Sequence, residues 1–253
     1  MISSVIKGRL GNQLFQIATA YSLSLDLLSD VCFPTTVVGT SPTSEEKDNY
    51  KNNILRNIKY SDNLNFVRHI WRDPGFGFTE VPKKDNLLLD GYFQSEKYFA
   101  HNSADIKNLF SVTSEIKRKV SGHKFDDNCV AIHVRRGDYV NLSHIHTNLA
   151  EHTKYYQDAV SVFPNYYKII FSDDVEWCKA QFGKDSVYID TGDDVLDFYL
   201  MASIKNKIIA NSSYSWWTAW LGENSESKII APTKWFKNST DTSDLIPERW
   251  VRI

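Results

Sequence analysis

Seven consecutive residues, His133, Val134, Arg135, Arg136, Gly137, Asp138 and Tyr139, follow and continue the apolar run Cys129 to Ile132. A buried strand that ends in two adjacent guanidiniums and a glycine aims fixed positive charge at its own carboxyl end, where open α/β sheets bind ligands. Each planar fork makes paired hydrogen bonds to phosphate oxygens and neither loses its proton, so the pair suits a pyrophosphate and hence a nucleotide-linked substrate. Taken alone, two arginines at a strand end read as a solvated rim or a structural ion pair. The tripeptide Arg136-Gly137-Asp138 also spells an adhesion signal, but here it continues a buried strand instead of capping an exposed loop.

Three other strand ends decide between these readings. Gly8-Arg9-Leu10-Gly11-Asn12-Gln13 joins a first strand to a first helix; glycines there let backbone approach a ligand, and free N–H groups at a helix start favour an anion. The spacing is not that of the dinucleotide fingerprint, and a tight turn explains it equally well. Phe171-Ser172-Asp173-Asp174 ends an apolar run; Asp174 reads as a helix cap and Asp173 as a ligand contact, to a guanine edge or a metal diphosphate. Asn211-Ser212-Ser213-Tyr214-Ser215 offers small hydroxyls at a helix start, a phosphate cradle or a cap. His144, His146 and His152 lie in a polar loop without a third metal ligand at a fixed spacing; contact with an acceptor sugar is the alternative.

The elements that must position these residues alternate. Strands are predicted at Ser3 to Ile6, Val31 to Phe33, Leu87 to Leu89, Val130 to Val134, Tyr167 to Ser172, Ser186 to Ile189, Lys207 to Ala210 and Lys228 to Ala231. Helices are predicted over Gln13 to Leu28, Glu96 to Phe110 with Ser95 as its cap, Ser114 to Val120, Lys154 to Phe163 and Asp194 to Ile204, with others starting at Asp174 and Tyr214. This alternation is the signature of a parallel α/β sheet. Residues 39 to 86 are polar and irregular and yield only a short helix. The polar break at residues 121 to 128 divides the chain into a domain over 1–122 and another over 123–253. Trp216 and Trp220 share one helical face, which points to core packing more than to a sugar-stacking platform.

The net charge of −2 argues against nucleic acid as a partner, which needs a strong basic excess. Three cysteines, far apart and in apolar surroundings, argue against a disulfide framework. With no signal-like leader and no apolar stretch of ~18 residues, the expectation is a cytoplasmic protein, with docking on the inner membrane surface left open.

The segments Gly8 to Ala18, Gly91 to Phe99, His133 to Tyr139, Phe171 to Cys178, Ile208 to Leu221 and Ile230 to Phe236 together resemble the bacterial α-1,2-fucosyltransferases of glycosyltransferase family eleven, and they span nearly the whole chain. The resemblance departs at Arg9 and Thr218, where many relatives carry glycine. It implies a GT-B-like architecture of two Rossmann-like domains facing a cleft, with the N-terminal domain on the acceptor side and the C-terminal one binding GDP-β-L-fucose. It also implies that no metal or other cofactor is needed. The donor site it implies comprises Gly11, Asn12, Gln13, His133, Arg135, Arg136, Asp173, Ser212 and Ser213. Arg135 is the expected catalytic group at the β-phosphate, and Asp138 a second, as base or as a partner that orients the arginines. Glu96 and the loop histidines are the other candidates for base.

The implied reaction is inverting transfer of L-fucose to the 2-OH of a terminal β-galactoside, on an oligosaccharide or a lipid-linked glycan. Alternatives are a protein acceptor, another sugar position, or a carbohydrate-binding module without turnover. The paired arginines speak against the last, since a lectin has no need of a diphosphate site.

Overall fold

The computed structural model describes residues 1–39, 42–137, 147–238 and 240–253. Its contacts divide it into two units, Met1–Thr113 with Asp241–Pro247 and Ser114–Thr240 with Glu248–Ile253. The junction therefore falls at Thr113 and Ser114, earlier than the 122/123 division read from the sequence. The reason is a helix, Ser114–Gly122, whose Ile116 is buried and which packs on the helix Asp194–Ser203 of the second unit. The segment 241–247 returns to the first unit, where the Asp244 carboxylate accepts the Phe78 N–H at 2.8 Å.

In the first unit β1 (Ile2–Ser4) pairs with β5 (Leu87–Asp90), and β5 with β4 (His69–Arg72), all parallel. The expected strand Ser3 to Ile6 is split, because the chain leaves this sheet and β2 (Ile6–Lys7) pairs instead with β3 (Val37–Val38). The expected strand at Val31 reduces to isolated bridges, Ile2 with Val31 and Phe33 with Tyr60. Helix α1 (Leu10–Asp26) starts three residues before the expected Gln13 and buries Leu10, Leu14, Phe15, Ile17 and Ala18 against β1 and β2. The short helix expected in the polar region is α2 (Ser44–Asn52), closed by a capping box between Thr43 and Glu46. Ser95 caps as expected, but the run from Glu96 to Phe110 breaks into two 3₁₀ turns and α3 (Ser103–Leu109). Phe99, fully buried with φ −146°, interrupts it.

The second unit contains α4 (Ser114–Gly122), β6 (Cys129–Val134), α5 (Leu149–His152), α6 (Tyr155–Ser161), β7 (Tyr167–Ser172), α7 (Val175–Phe182), β8 (Val187–Ile189), α8 (Asp194–Ser203), β9 (Asn206–Ile208), α9 (Ser213–Gly222), β10 (Ile229–Ala231) and β11 (Val251–Arg252). Its six strands are all parallel in the order β8-β7-β6-β9-β10-β11. Numbered within the unit this is 3-2-1-4-5-6, the doubly wound order whose direction of winding reverses between β6 and β9. Every residue of β6 is buried, and Val130, Ile132 and Val134 pack with Tyr155, Tyr156, Ala159 and Phe163. Trp216, Trp217 and Trp220 are buried in the core, and Trp216 also meets Trp250 at 5.5 Å. The three cysteines are buried and free.

Candidate functional site

In the second unit the winding reversal places the carboxyl ends of β6 and β9 side by side, with that of β7 next to β6. Ligands bind at such a switch point because the two connections leave in opposite directions and open a crevice. The residues carried there are His133 and Val134 at the end of β6 with Arg135 to Gly137 after it, Asp173 and Asp174 after β7, and Asn211 to Ser213 after β9.

Arg135 and Asp173 form the centre. The Arg135 guanidinium lies 2.6 Å from Asp173 Oδ2, and Asp173 Oδ1 accepts the backbone N–H of Arg136 at 2.9 Å. Gly137 is required by this pair: a Cβ on it stands 2.5 Å from Asp173 Oδ2. The glycine of the motif thus makes room for a carboxylate from the neighbouring strand.

Arg136 behaves differently from its neighbour. Its Nε donates to Asp174 at 2.9 Å, its Nη1 to Glu151 at 2.7 Å, and its guanidinium carbon lies 4.4 Å from the centre of the Trp177 ring. Its side chain is 12% exposed. Burial opposes its charge, but the two carboxylates outweigh burial and raise its pKa. The expectation that both forks face a diphosphate meets a difference between the two arginines here, because Arg136 is held by α5 through Glu151 and by the start of α7 through Asp174 and Trp177, contacts that position the loop. Asp174 is the cap the sequence indicated, accepting the Trp177 N–H at 3.0 Å, and that bond together with the Arg136 contact lowers its pKa.

His133 is 7% exposed and held from both sides, its carbonyl accepting the Tyr156 hydroxyl at 2.9 Å and its ring 5.6 Å from that of Tyr214. Burial lowers its pKa to about 4, with the Asp173 carboxylate opposing that shift and the Arg135 guanidinium adding to it. The imidazole is therefore neutral at pH 7, and its Nδ1 is buried without a hydrogen-bond partner among the described residues. An orphaned polar atom at a strand end invites a ligand atom.

At the end of β9, Asn211 is buried and donates to the carbonyls of Thr147 and Trp235, which fixes the loop. Ser212 stands at the N-cap of α9 yet makes no side-chain capping bond, and Ser213 opens the helix. The hydroxyl that elsewhere closes a helix start is here left for another acceptor or donor.

In the first unit, Gly8 takes φ +75°, a left-handed conformation that favours glycine, ahead of α1. Gly11 is buried in the first turn of α1. The Asn12 Oδ1 accepts the Gln94 amide at 2.8 Å. Gln13, expected at the donor, is 4% exposed and donates to the Gly8 carbonyl at 2.9 Å, so it shapes the loop from beneath. Gln16 does the same for Lys7, accepting its N–H and donating to its carbonyl. Asp138, with His144 and His146, lies outside the described residues, as does the side chain of His152. Glu96 opens a 3₁₀ turn in the first unit.

Glu151, Trp177, Tyr156 and Gln94 were not singled out from sequence. Asn148-x-x-Glu151 is a readable helix start, Asn148 Oδ1 accepting the Glu151 N–H at 3.3 Å. Gln94 lies within the segment Gly91 to Phe99 that carries the family resemblance.

The family model of glycosyl transferase family 11 matches residues 1–253. The chain is 30% identical to the alpha-1,2-colitosyltransferase of Escherichia coli, over 98% of this chain and 97% of that protein. It is 27% identical to the O-antigen biosynthesis glycosyltransferase WbnK of Escherichia coli, over 99% of each. Among solved structures, POFUT1 in complex with GDP-fucose superposes with a TM-score of 0.51 at 12% identity, covering 90% of this chain and 98% of that one. That likeness concerns the fold alone, an α/β fold of the GT-B kind with parallel sheets. Matched end to end by the family model, the chain belongs to glycosyltransferase family 11.

Proposed function

We propose that the protein transfers L-fucose with inversion from GDP-β-L-fucose to the 2-OH of a terminal β-galactoside. The observation that carries this reading is the Arg135–Asp173 pair at the β6/β9 switch point. The guanidinium is oriented by a carboxylate before any ligand arrives, at a strand end where α/β sheets bind ligands, which supports a role at the negative charge that grows on a departing diphosphate. A preorganised donor of this kind contributes about 2.7 to 4 kcal/mol to the transition state. The reaction is proposed to run without a metal, as the family resemblance implies. Neutral His133, with its unpartnered Nδ1, suits the uncharged edge of a guanine, and Ser212 and Ser213 suit a phosphate at the start of α9. Gly11 and Asn12 join the donor site through the family resemblance, as does Asp138 as base or orienting group.

The hydroxyl of the acceptor attacks the anomeric carbon opposite the leaving GDP, its proton passes to a base, and the new linkage is α. The relatives named α-1,2-colitosyltransferase and galactoside 2-alpha-L-fucosyltransferase support the linkage. The former also favours a second reading of the donor, GDP-colitose, whose sugar is fucose without its 3-hydroxyl. Incubation with GDP-fucose and GDP-colitose in competition, over a panel of β-galactosides, followed by NMR linkage assignment, tests both. An α-1,2-fucosylated product is expected; colitose preferred over fucose establishes the second reading, and a linkage at another position overturns the acceptor assignment.

A further inference from the structure

Between α6 and α7 of the second unit lies a cavity of about 260 Å³, walled by Tyr156, Gln157, Lys168, Trp177, Gln181 and Phe182. Two of these residues support the arginine motif. The Tyr156 hydroxyl donates to the His133 carbonyl at 2.9 Å, and the Trp177 ring carries the Arg136 guanidinium at 4.4 Å. None of the donor-site groups lines it. We propose that this cavity is a second, saccharide-binding site that takes a single pyranose ring. A pyranose has one face of C–H groups and an edge of hydroxyls that both donate and accept. Three aromatic side chains meet the first requirement, and two carboxamides, each with donors and an acceptor, meet the second. The exposed carboxamides of Gln157 and Gln181 stand at the mouth, where a hydroxylated guest gains hydrogen bonds that a wholly apolar one does not, and a diphosphate finds a single lysine. The volume lies just below the ~300–1,000 Å³ of small-molecule sites and so holds one ring, such as the terminal unit of a glycan, and not a chain of them. A guest of a dozen heavy atoms gives a dissociation constant on the order of 1 mM.

The test uses the full chain with GDP present, titrated with the methyl glycosides of β-galactose, β-glucose, β-N-acetylglucosamine and α-fucose and followed by NMR. At least one is expected to bind saturably and to shift the Trp177 indole N–H and the Gln181 amide. Gln181→Leu is expected to weaken it about tenfold without changing the melting temperature, since Gln181 is exposed. Absence of saturable binding by all four, binding unchanged in Gln181→Leu, or binding lost when GDP is added overturns the proposal. The transfer reaction is not needed for this readout, so it stands apart from the proposed function.

Discussion

Replacing Gly137 with alanine perturbs the site at one atom. The added Cβ stands 2.5 Å from Asp173 Oδ2 and 3.3 Å from its Cγ, the closer contact roughly 1 Å inside the ~3.5 Å separation of non-bonded heavy atoms. Gly137 is not among the residues with positive φ, so alanine takes up the same backbone and the carboxylate has to move. Asp173 then loses or lengthens its contacts with Arg135, at 2.6 Å, and with the Arg136 N–H, at 2.9 Å. One such bond to an ionised group contributes about 1.5 to 3 kcal/mol, and the restraint of the unfolded chain by alanine returns ~0.4 to 1 kcal/mol of it. The net loss of stability is about 1 kcal/mol, a few degrees in melting temperature. A guanidinium displaced by ~1 Å costs far more in catalysis, on the order of 10²-fold in kcat/KM. Steady-state GDP release from GDP-fucose, measured beside thermal melts, checks both quantities. Near-normal turnover in Gly137→Ala refutes the claim that the glycine exists to admit Asp173.

Arg136→Ala leaves Asp174 and Glu151 without their shared cation and strips Trp177 of its stacking partner; a loss of about 1 kcal/mol is expected by urea unfolding, since both carboxylates are partly solvated. Burial holds His133 near 4, below its unfolded value near 6.5, so its contribution is intact above pH 6.5 and stability falls as pH drops toward 4. That loss approaches about 3 kcal/mol, and His133→Gln should flatten the pH dependence of chemical unfolding over this window. Lys207 is fully buried in β9, its ammonium facing the Ile204 carbonyl, and burial lowers its pKa to about 7, with Glu223 opposing the shift. Protonation therefore weighs against the fold increasingly as pH falls from about 10 through 7. Lys207→Met is expected to raise stability at pH 7 by up to about 4 kcal/mol and to abolish the rise in melting temperature that the wild-type protein is expected to show between about pH 7 and 10.

The centre of the second sheet was legible because β6 and β10 are buried throughout and β7 is buried over Ile169–Phe171, so these stretches appear as apolar runs. β4, at a sheet edge with His69, Ile70 and Arg72 exposed, gives no such run, and β11 has two exposed residues. The family resemblance pointed to candidate residues in both units, and the strand order of the second unit gives a reason why those after β6, β7 and β9 lie together. What sequence did not separate was Arg135 from Arg136, two identical side chains in adjacent positions. Their surroundings diverge because Glu151 of α5 and the start of α7, with Asp174 and Trp177, converge on one of them, and the meeting of two separate helices has no signal in spacing. Gln13 misled for a related reason, since a polar residue beside a glycine loop looks the same whether it faces a ligand or holds the backbone.

The central claim is that Arg135, oriented by Asp173, holds the diphosphate of a GDP-sugar without a metal. Calorimetric titration of GDP into the wild-type protein and into Arg135→Ala, both with chelator present, tests it most directly. The wild-type protein is expected to bind GDP and Arg135→Ala to lose on the order of 10²-fold in affinity, as truncation of a partly buried, charge-assisted contact does. Equal affinity in the two proteins, or no binding by wild type until a divalent cation is added, contradicts it.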